Sequence, residues 1–250
     1  LVEQDAEDEP VVGYLLGLSL LPAKTRRELR PLDPQACGGD LPRGWAWLPL
    51  GSLIGSMDAG WSPQCENHAR ANESEWAVLK TTAVQALSFD SSQNKRLPDK
   101  LQARPQYQAE IGDILVTRAG PKNRVGVSCV VDVACPRLMI SDKLIRFHTL
   151  GDLSPDFVAL TLNAGYTFQQ LEAAKSGMAV MQMNISQDKL RAIPIPLPPL
   201  AEQHRIVAKV QELMSLCDRL ERALQDATTT RTRLLDATLR EALTGAQEAA

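Results

Sequence analysis

The feature that most constrains this chain lies near its C-terminal end, where a proline-rich connector runs into a long stretch almost free of Gly and Pro. The connector is Ile193-Pro194-Ile195-Pro196-Leu197-Pro198-Pro199-Leu200. Each proline fixes φ and removes a backbone donor, so the segment is expected to be extended and stiff. Pro198 and Pro199 sit where a helix would begin, and Glu202 falls in its first turn, where a carboxylate suits the N-terminal dipole. Beyond them, apolar residues recur in steps of four and three at Ile206, Val210, Leu213, Cys217, Leu220, Leu224 and Ala227. That spacing draws one narrow seam along a helix, the pattern of a coiled coil. The step breaks at Arg231 and resumes one residue out of phase through Leu235, Leu239 and Ala242, so the seam is expected to drift near Thr228-Thr229-Thr230. Gly245 reads as the helix stop.

A helix of roughly forty residues is about 60 Å long at about 1.5 Å per residue. So narrow a seam cannot be buried by its own helix. An ordinary amphipathic helix packed on its own domain is one reading. The length and the connector favour a spacer that pairs with a second long helix, from this chain or another.

The rest of the chain is long enough to bury a proper core as one large or two small domains. Its formal net charge of −3 does not announce a nucleic-acid binder. That average conceals a gradient. From Lys95 to Arg146 there are ten basic residues (Lys95, Arg96, Lys100, Arg104, Arg118, Lys122, Arg124, Arg137, Lys143 and Arg146) against five acidic ones. Acid concentrates instead at Glu3–Glu9 and along the C-terminal helix. A locally basic face can bind phosphates even on an acidic chain. The five cysteines are scattered, with no C-x-x-C pair, so neither a zinc site nor a disulfide framework is suggested and a reducing cytoplasm is the simplest compartment. Val11–Leu21 is apolar but too short to span a bilayer, and acidic residues precede it.

Taken in order, residues 1–40 read as a weakly structured lead-in, with a short helix at Val11–Leu21 and a linker around Pro31, Pro34 and Gly38-Gly39. A mixed domain follows over residues 41–196. Trp45–Leu50 has strand character, with Pro49 placing it at an edge. Gly55–Asn72 looks like a long loop, Trp76–Thr82 like a strand, and Ser88–Gln108 like a second irregular segment. Ile111–Arg118 and Arg124–Val133, joined by a turn at Ala119–Asn123, make a hairpin-like pair. Leu138–Phe147 reads as one further strand. Pro155–Ala174 has helical spacing with Ser154 as N-cap, and Ser176–Ile185 is a Gly- and Met-containing loop. The fold class is therefore α+β: a mixed globular domain, a long helix over residues 197–245, and a short tail at 246–250.

Enzymatic constellations are missing. Gly120-Pro121-Lys122 lacks the second Gly-Lys-Ser/Thr of a phosphate loop. His68, His148 and His204 stand in unrelated contexts, so no metal set is expected. Asp156, Glu172 and Lys175 only loosely resemble a nuclease core, and Asp156 is better explained as a first-turn carboxylate. Neither an Asn/Asp-Pro-Pro-aromatic stretch nor a G-x-S-x-G elbow occurs.

The run Leu197-Pro198-Pro199-Leu200-Ala201-Glu202-Gln203-His204-Arg205-Ile206-Val207, continued by Leu213–Glu221, closely resembles the helix of specificity subunits of type I restriction–modification enzymes. Upstream, Leu41-Pro42-Arg43-Gly44-Trp45, Gly112–Gly120 and Gly177–Ser186 followed by Leu190–Pro196 resemble their target recognition domain. The likeness covers most of residues 41–245. It implies a non-catalytic DNA-reading subunit that recognises one half-site of double-stranded DNA. Its spacer helix, of the antiparallel coiled-coil kind, would dock methyltransferase subunits and, through the complex, the restriction/translocase subunit. S-adenosylmethionine, ATP and Mg²⁺ are expected only on those partners, and no cofactor or metal on this chain.

Leu1–Pro10 and Glu241–Gly245 resemble the two sides of a repeat boundary, so the sequence reads as one repeat, whether a natural half-subunit or an excised distal half. The second helix would then come from homodimerisation or from the rest of a longer chain. Candidate DNA contacts are Lys80, Thr81, Thr82, Arg118, Lys122, Asn123, Arg124, Lys175, Gln182 and Asn184. Candidate helix-pairing positions are Ile206, Val210, Leu213, Cys217, Leu220 and Leu224. The competing reading is a helical-rod interaction protein whose α/β domain binds a protein or small ligand.

Overall fold

A computed structural model describes the backbone of residues 31–248 and the side chains through residue 238. The expected Val11–Leu21 helix lies outside the described residues. The contacts divide the chain into two units, residues 1–204 and 205–250.

The first unit is built on an antiparallel sheet of four strands in the order β2-β11-β7-β9. These are β2 (Ile54–Ala59), β7 (Ile114–Thr117), β9 (Ser128–Val130) and β11 (Leu144–Thr149). All four residues of β7 are buried, as a continuous apolar run predicts for an interior strand. β7 pairs with β9 as the hairpin-like signal requires, Ile114 opposite Val130. A second sheet joins β3 (Ala77–Leu79) to β6 (Asn94–Arg96) antiparallel and to β10 (Leu138–Met139) parallel. One core cluster, including Leu79, Val84, Leu115, Cys129, Ile140 and Leu144, draws on both sheets. β4 (Val84–Gln85) and β5 (Ser88–Phe89) add a short ribbon.

Several local expectations are corrected. The Gly55–Asn72 segment opens with strand β2, because Arg146 on β11 faces Asp58 and donates Nε to Oδ1 (3.1 Å) and Nη2 to Oδ2 (2.8 Å). Periodicity cannot show a partner that far along the chain. Leu138–Phe147 is not one strand but two, β10 and β11, in different sheets. Pro155–Ala174 is two helices, α2 (Pro155–Asn163) and α3 (Gly165–Ala174). They break at Ala164, which is extended, and at Gly165, whose φ of +64° only glycine adopts easily. Ser154 caps α2 as expected, its Oγ accepting from Phe157 N at 3.3 Å.

The supposed linker around Pro34 is tied into the domain. Leu32 N donates to Trp47 O (2.8 Å), Trp47 Nε1 donates to Gly39 O (3.0 Å), and the Tyr166 ring meets Trp47 edge-on at 5.4 Å. The proline connector is extended, as the prolines dictate, but it is also a strand of the domain. β13 (Pro194–Leu197) pairs with β1 (Ala46–Pro49) and buries Ile195 and Leu197. Two prolines fit in β13, and Pro49 in β1, because this sheet has two strands and each has a free edge. The specific Glu202-Gln203 pair serves this unit. Trp45 Nε1 donates to Glu202 Oε2 (3.1 Å), and buried Gln203 accepts from Ser154 N (3.2 Å) while donating to Pro198 O (3.0 Å).

Helix α5 runs from Leu200 to Glu248 without interruption, 49 residues, about 74 Å. It passes through Gly245, so the expected stop there is corrected. Glycine lowers helix propensity by only about 1 kcal/mol, too little to end a long helix by itself. Where the seam changes phase the helix stays intact, and Thr228, Thr229 and Thr232 donate their hydroxyls to carbonyls four residues earlier. Leu213, Leu220 and Leu224 on the seam are 48%, 61% and 70% exposed; Cys217 is exposed, and Ile206 and Val210 are half-buried. Among the described residues no helix is long and apolar enough to cross a membrane.

Candidate nucleic-acid interface

The end of β7 is where the candidate residues converge. Arg118 follows that strand; its N–H donates to Lys143 O (2.8 Å) and its carbonyl accepts from Ile185 N (2.9 Å). Its neighbours form β8 (Ala119–Gly120), which pairs with β12 (Met183–Asn184), Ala119 opposite Asn184. The turn after β8 closes through Arg124 N to Pro121 O (2.8 Å) and returns through Gly126 N to Thr117 O (2.7 Å). Gly126 has φ +86°, and a Cβ there would lie 2.0 Å from Leu171 Cδ2, so the return path has room only for glycine. Lys122 and Asn123 are exposed in this turn.

Two cations chosen from sequence hold the turn rather than face outward. Arg124 donates Nη2 to Thr81 O (2.7 Å) and Val84 O (2.6 Å) and Nη1 to Gln85 Oε1 (3.0 Å). This ties the turn to the 3-10 segment Thr81–Ala83. On the other side Lys175, its side chain 1% exposed, donates to Lys122 O at 2.9 Å and pairs with Glu172. Arg124 and Lys175, both candidate DNA contacts, thus have partners within the fold. Their charges are committed to carbonyls and a carboxylate inside the fold, where a guanidinium fork satisfies several acceptors at once.

The same holds across the basic stretch. Arg96 binds Glu75 and Asp99, Arg104 lies 4.1 Å over the Trp61 ring, and Arg137 donates to Ser74 O. Arg146 binds Asp58 and lies 3.7 Å from Asp113. Of the six arginines in the stretch, Arg118 alone has no side-chain partner among the described residues. The local excess of positive charge is thus left to half-buried Arg118 and to lysines, including exposed Lys122 and Lys143.

The other candidates surround the turn. Lys80 and Thr81 are half-buried and Thr82 is exposed, its Oγ1 bonded to Gln93 Oε1 at 3.1 Å. Lys122 N donates to Val180 O (2.7 Å), which brings the 176–184 loop alongside with Gln182 and Asn184 both exposed. Asn184 Oδ1 accepts from Ser176 Oγ at 3.2 Å. Amides and hydroxyls on strand ends and turns, beside cations, suit phosphate positioning and base-edge hydrogen bonding. Sequence reasoning omitted Gln85, which braces Arg124 and carries no sequence signal, and Lys143, which its place in the basic stretch could have flagged.

No group of three or more His, Cys, Asp or Glu among the described residues is placed to hold a metal ion. The buried acid Asp113 lies near His148 (Nε2 to Oδ1, 2.8 Å) and Arg146. Burial pushes its carboxyl above the usual range, opposed by the Glu110 amide, the Arg146 guanidinium and the neighbouring His148 ring. It closes the turn before β7 by accepting from Glu110 N at 2.7 Å, a structural duty.

Residues 89–229 match the family model described as the type I restriction modification DNA specificity domain. The chain belongs to this family. It is 47% identical over 246 residues to the type I restriction enzyme EcoEI specificity subunit of Escherichia coli, covering 95% of this chain and 41% of that protein. It is 23% identical over 257 residues to the EcoAI specificity subunit of the same species, with the same coverage. The chain thus spans about two fifths of the length of these curated relatives.

Among solved structures, a chain of a type I R-M system aligns with a TM-score of 0.56 at 24% identity, covering 93% of this chain and 51% of that one. The HsdS subunit from Thermoanaerobacter tengcongensis aligns at 0.53 and 23%, covering 88% and 45%. At such identities the likeness is one of fold: a mixed α/β body and a long C-terminal helix. The specificity-domain match takes in the 119–124 turn, the 176–184 loop and all six helix-pairing candidates; Lys80, Thr81 and Thr82 lie before it.

Proposed function

We propose that this chain reads one half-site of double-stranded DNA for a type I restriction–modification system and catalyses nothing itself. Supporting this reading is the convergence of the 119–124 turn, the 176–184 loop and the Thr81–Ala83 segment around the end of β7. There Lys122, Asn123, Gln182 and Asn184 are exposed beside half-buried Arg118, and two internal cations brace the turn. Phosphate contacts from Arg118 and Lys122, with Lys80 and Lys143 at the margin, would set register, and the amides would read base edges.

The seam of α5, from Ile206 through Val210, Leu213, Cys217 and Leu220 to Leu224, pairs with a second long helix, supplied by a second copy or by further sequence of the same protein. Such a paired rod would separate two readers by a fixed length of duplex and dock methyltransferase subunits. Bond-making chemistry with S-adenosylmethionine, ATP and Mg²⁺ then belongs to the partners, the restriction/translocase subunit among them, in the cytoplasm.

The test is selection of duplexes from a random pool by the protein together with its methyltransferase subunit, followed by a salt titration of the selected site. A defined half-site is expected, with affinity falling steeply as salt rises because each neutralised phosphate releases counterions. Recovery of no preferred sequence would overturn the proposal.

A further inference from the structure

The 176–184 loop has a property that polar readout does not use. Its residues 178–183 are Met178-Ala179-Val180-Met181-Gln182-Met183, and Met178 is fully exposed, with Val180 and Met181 each 68% exposed. Gln182 N donates to Ala179 O (2.9 Å), so Val180 and Met181 occupy the two corners of a tight turn. Those corners normally hold Gly, Pro, Asn or Asp; here two large apolar side chains point into water.

The tip is held in place. Ser176 and Asn184 exchange both backbone hydrogen bonds (2.8 and 2.7 Å), β12 pairs with β8, and Lys122 N grips Val180 O. A Cβ on Gly177 would come within 2.3 Å of Gln182 O, so the base of the loop is closed against side chains. An anchored turn with an apolar tip has a different use from a loose surface loop.

Its surroundings indicate what covers it. Residues 119–124 and 176–184 contain no Asp or Glu, whereas Lys122 adjoins the tip through its backbone, and Arg118 and Lys143 meet at the foot of the loop. A partner that satisfies cations at the rim and apolar atoms at the centre is a polyanion with an apolar feature set inside it. Duplex DNA has that character, with phosphates along the groove edge and the thymine C5-methyl on the major-groove floor.

Building on the DNA-reading proposal, we infer that the Met178, Val180 and Met181 side chains are specificity-determining contacts that read thymine methyl groups in the major groove. Hydrogen-bonding groups at Asn123, Gln182 and Asn184 would then read neighbouring base edges from the same face.

The experiment uses the full protein with its methyltransferase subunit and the duplex selected as above. Each thymine of the half-site is replaced singly by deoxyuridine, which removes only the methyl. Binding is measured at fixed salt for wild type, the double variant Met178→Ala/Met181→Ala and Lys122→Ala. The wild type is expected to lose about fourfold in affinity at one or two thymines, the cost of withdrawing one buried methyl. The double variant should bind thymine and deoxyuridine duplexes alike. Lys122→Ala should weaken both equally and lessen the salt dependence.

Because the methionines are exposed, their truncation leaves the core untouched. Sequence-preferring binding that is indifferent to every deoxyuridine, or a loss that persists undiminished in the double variant, overturns this inference and leaves the DNA-reading proposal standing. Absence of any sequence preference overturns both.

Discussion

Lys175→Met separates a cation that holds the recognition turn from one that touches DNA. The substitution keeps the unbranched apolar stem and removes the ammonium, which donates to Lys122 O at 2.9 Å and pairs with Glu172. Breaking a fully buried ion pair costs about 3–5 kcal/mol because the partner is left charged and dry. Here the Glu172 side chain is 29% exposed and can regain water, so most of that penalty is relieved. What remains is a hydrogen bond from a charged donor to the Lys122 carbonyl, and the expected loss is about 2 kcal/mol.

All four tryptophans (Trp45, Trp47, Trp61 and Trp76) lie in the first unit, so their fluorescence during urea unfolding reports that unit, which includes the first turn of α5 that Trp45 touches through Glu202. The midpoint should fall with the slope against urea unchanged. Affinity for the selected duplex should weaken with little change in its salt dependence, because no phosphate contact is lost. Lys122→Ala should do the reverse, with stability altered by less than about 0.5 kcal/mol and the logarithmic salt slope smaller by about one. A Lys175→Met protein of undiminished stability whose salt slope falls by one unit would show the ammonium to be a phosphate ligand and would refute the argument.

Other expectations follow from the same geometry. Arg124→Ala leaves the Thr81 and Val84 carbonyls without their donor and should cost about 2–3 kcal/mol by the same fluorescence assay, again with an unaltered salt slope. Burial pushes the Cys129 and Cys135 thiols up to about 12 and about 11, so mass spectrometry after iodoacetamide at pH 8 should find both unlabelled until urea is added. Cys217, exposed on the seam, should react in dilute native protein and more slowly as concentration drives helix pairing. The Asp113 carboxyl has a raised pKa in the fold. The folded state therefore takes up a proton before the unfolded one does, and the stability this confers is present at low pH and lost as pH rises through the raised value. Wild type should accordingly gain on Asp113→Asn as pH falls from 7 through that value, measured by urea midpoints; a constant difference would contradict the assignment.

The elements legible in the sequence were those governed by local rules. The helix after Pro199, the Ser154 cap, the β7–β9 pair and the stiffness of the proline segment all follow from spacing, dihedral limits and turn chemistry within a few residues. So does the narrow seam of α5, and the Pro-Pro-Leu-Ala-Glu-Gln stretch was specific enough to point to the family. Local rules also predicted a stop at Gly245 that the helix does not make, since one weak residue does not outweigh the hydrogen bonds on either side.

Tertiary structure decided the partners. Strand β2 exists because Asp58 meets Arg146 on β11, Leu138–Phe147 divides because its two ends serve different sheets, and the connector became strand β13 by pairing with β1. The same reason governs the candidate interface. Arg118, Arg124 and Lys175 are indistinguishable as charges in a sequence, yet one has no side-chain partner among the described residues and two bind the groups around a turn. A cation's role depends on which carbonyls and carboxylates the folded chain brings within 3 Å of it, and the carbonyls that Arg124 and Lys175 bind lie tens of residues away.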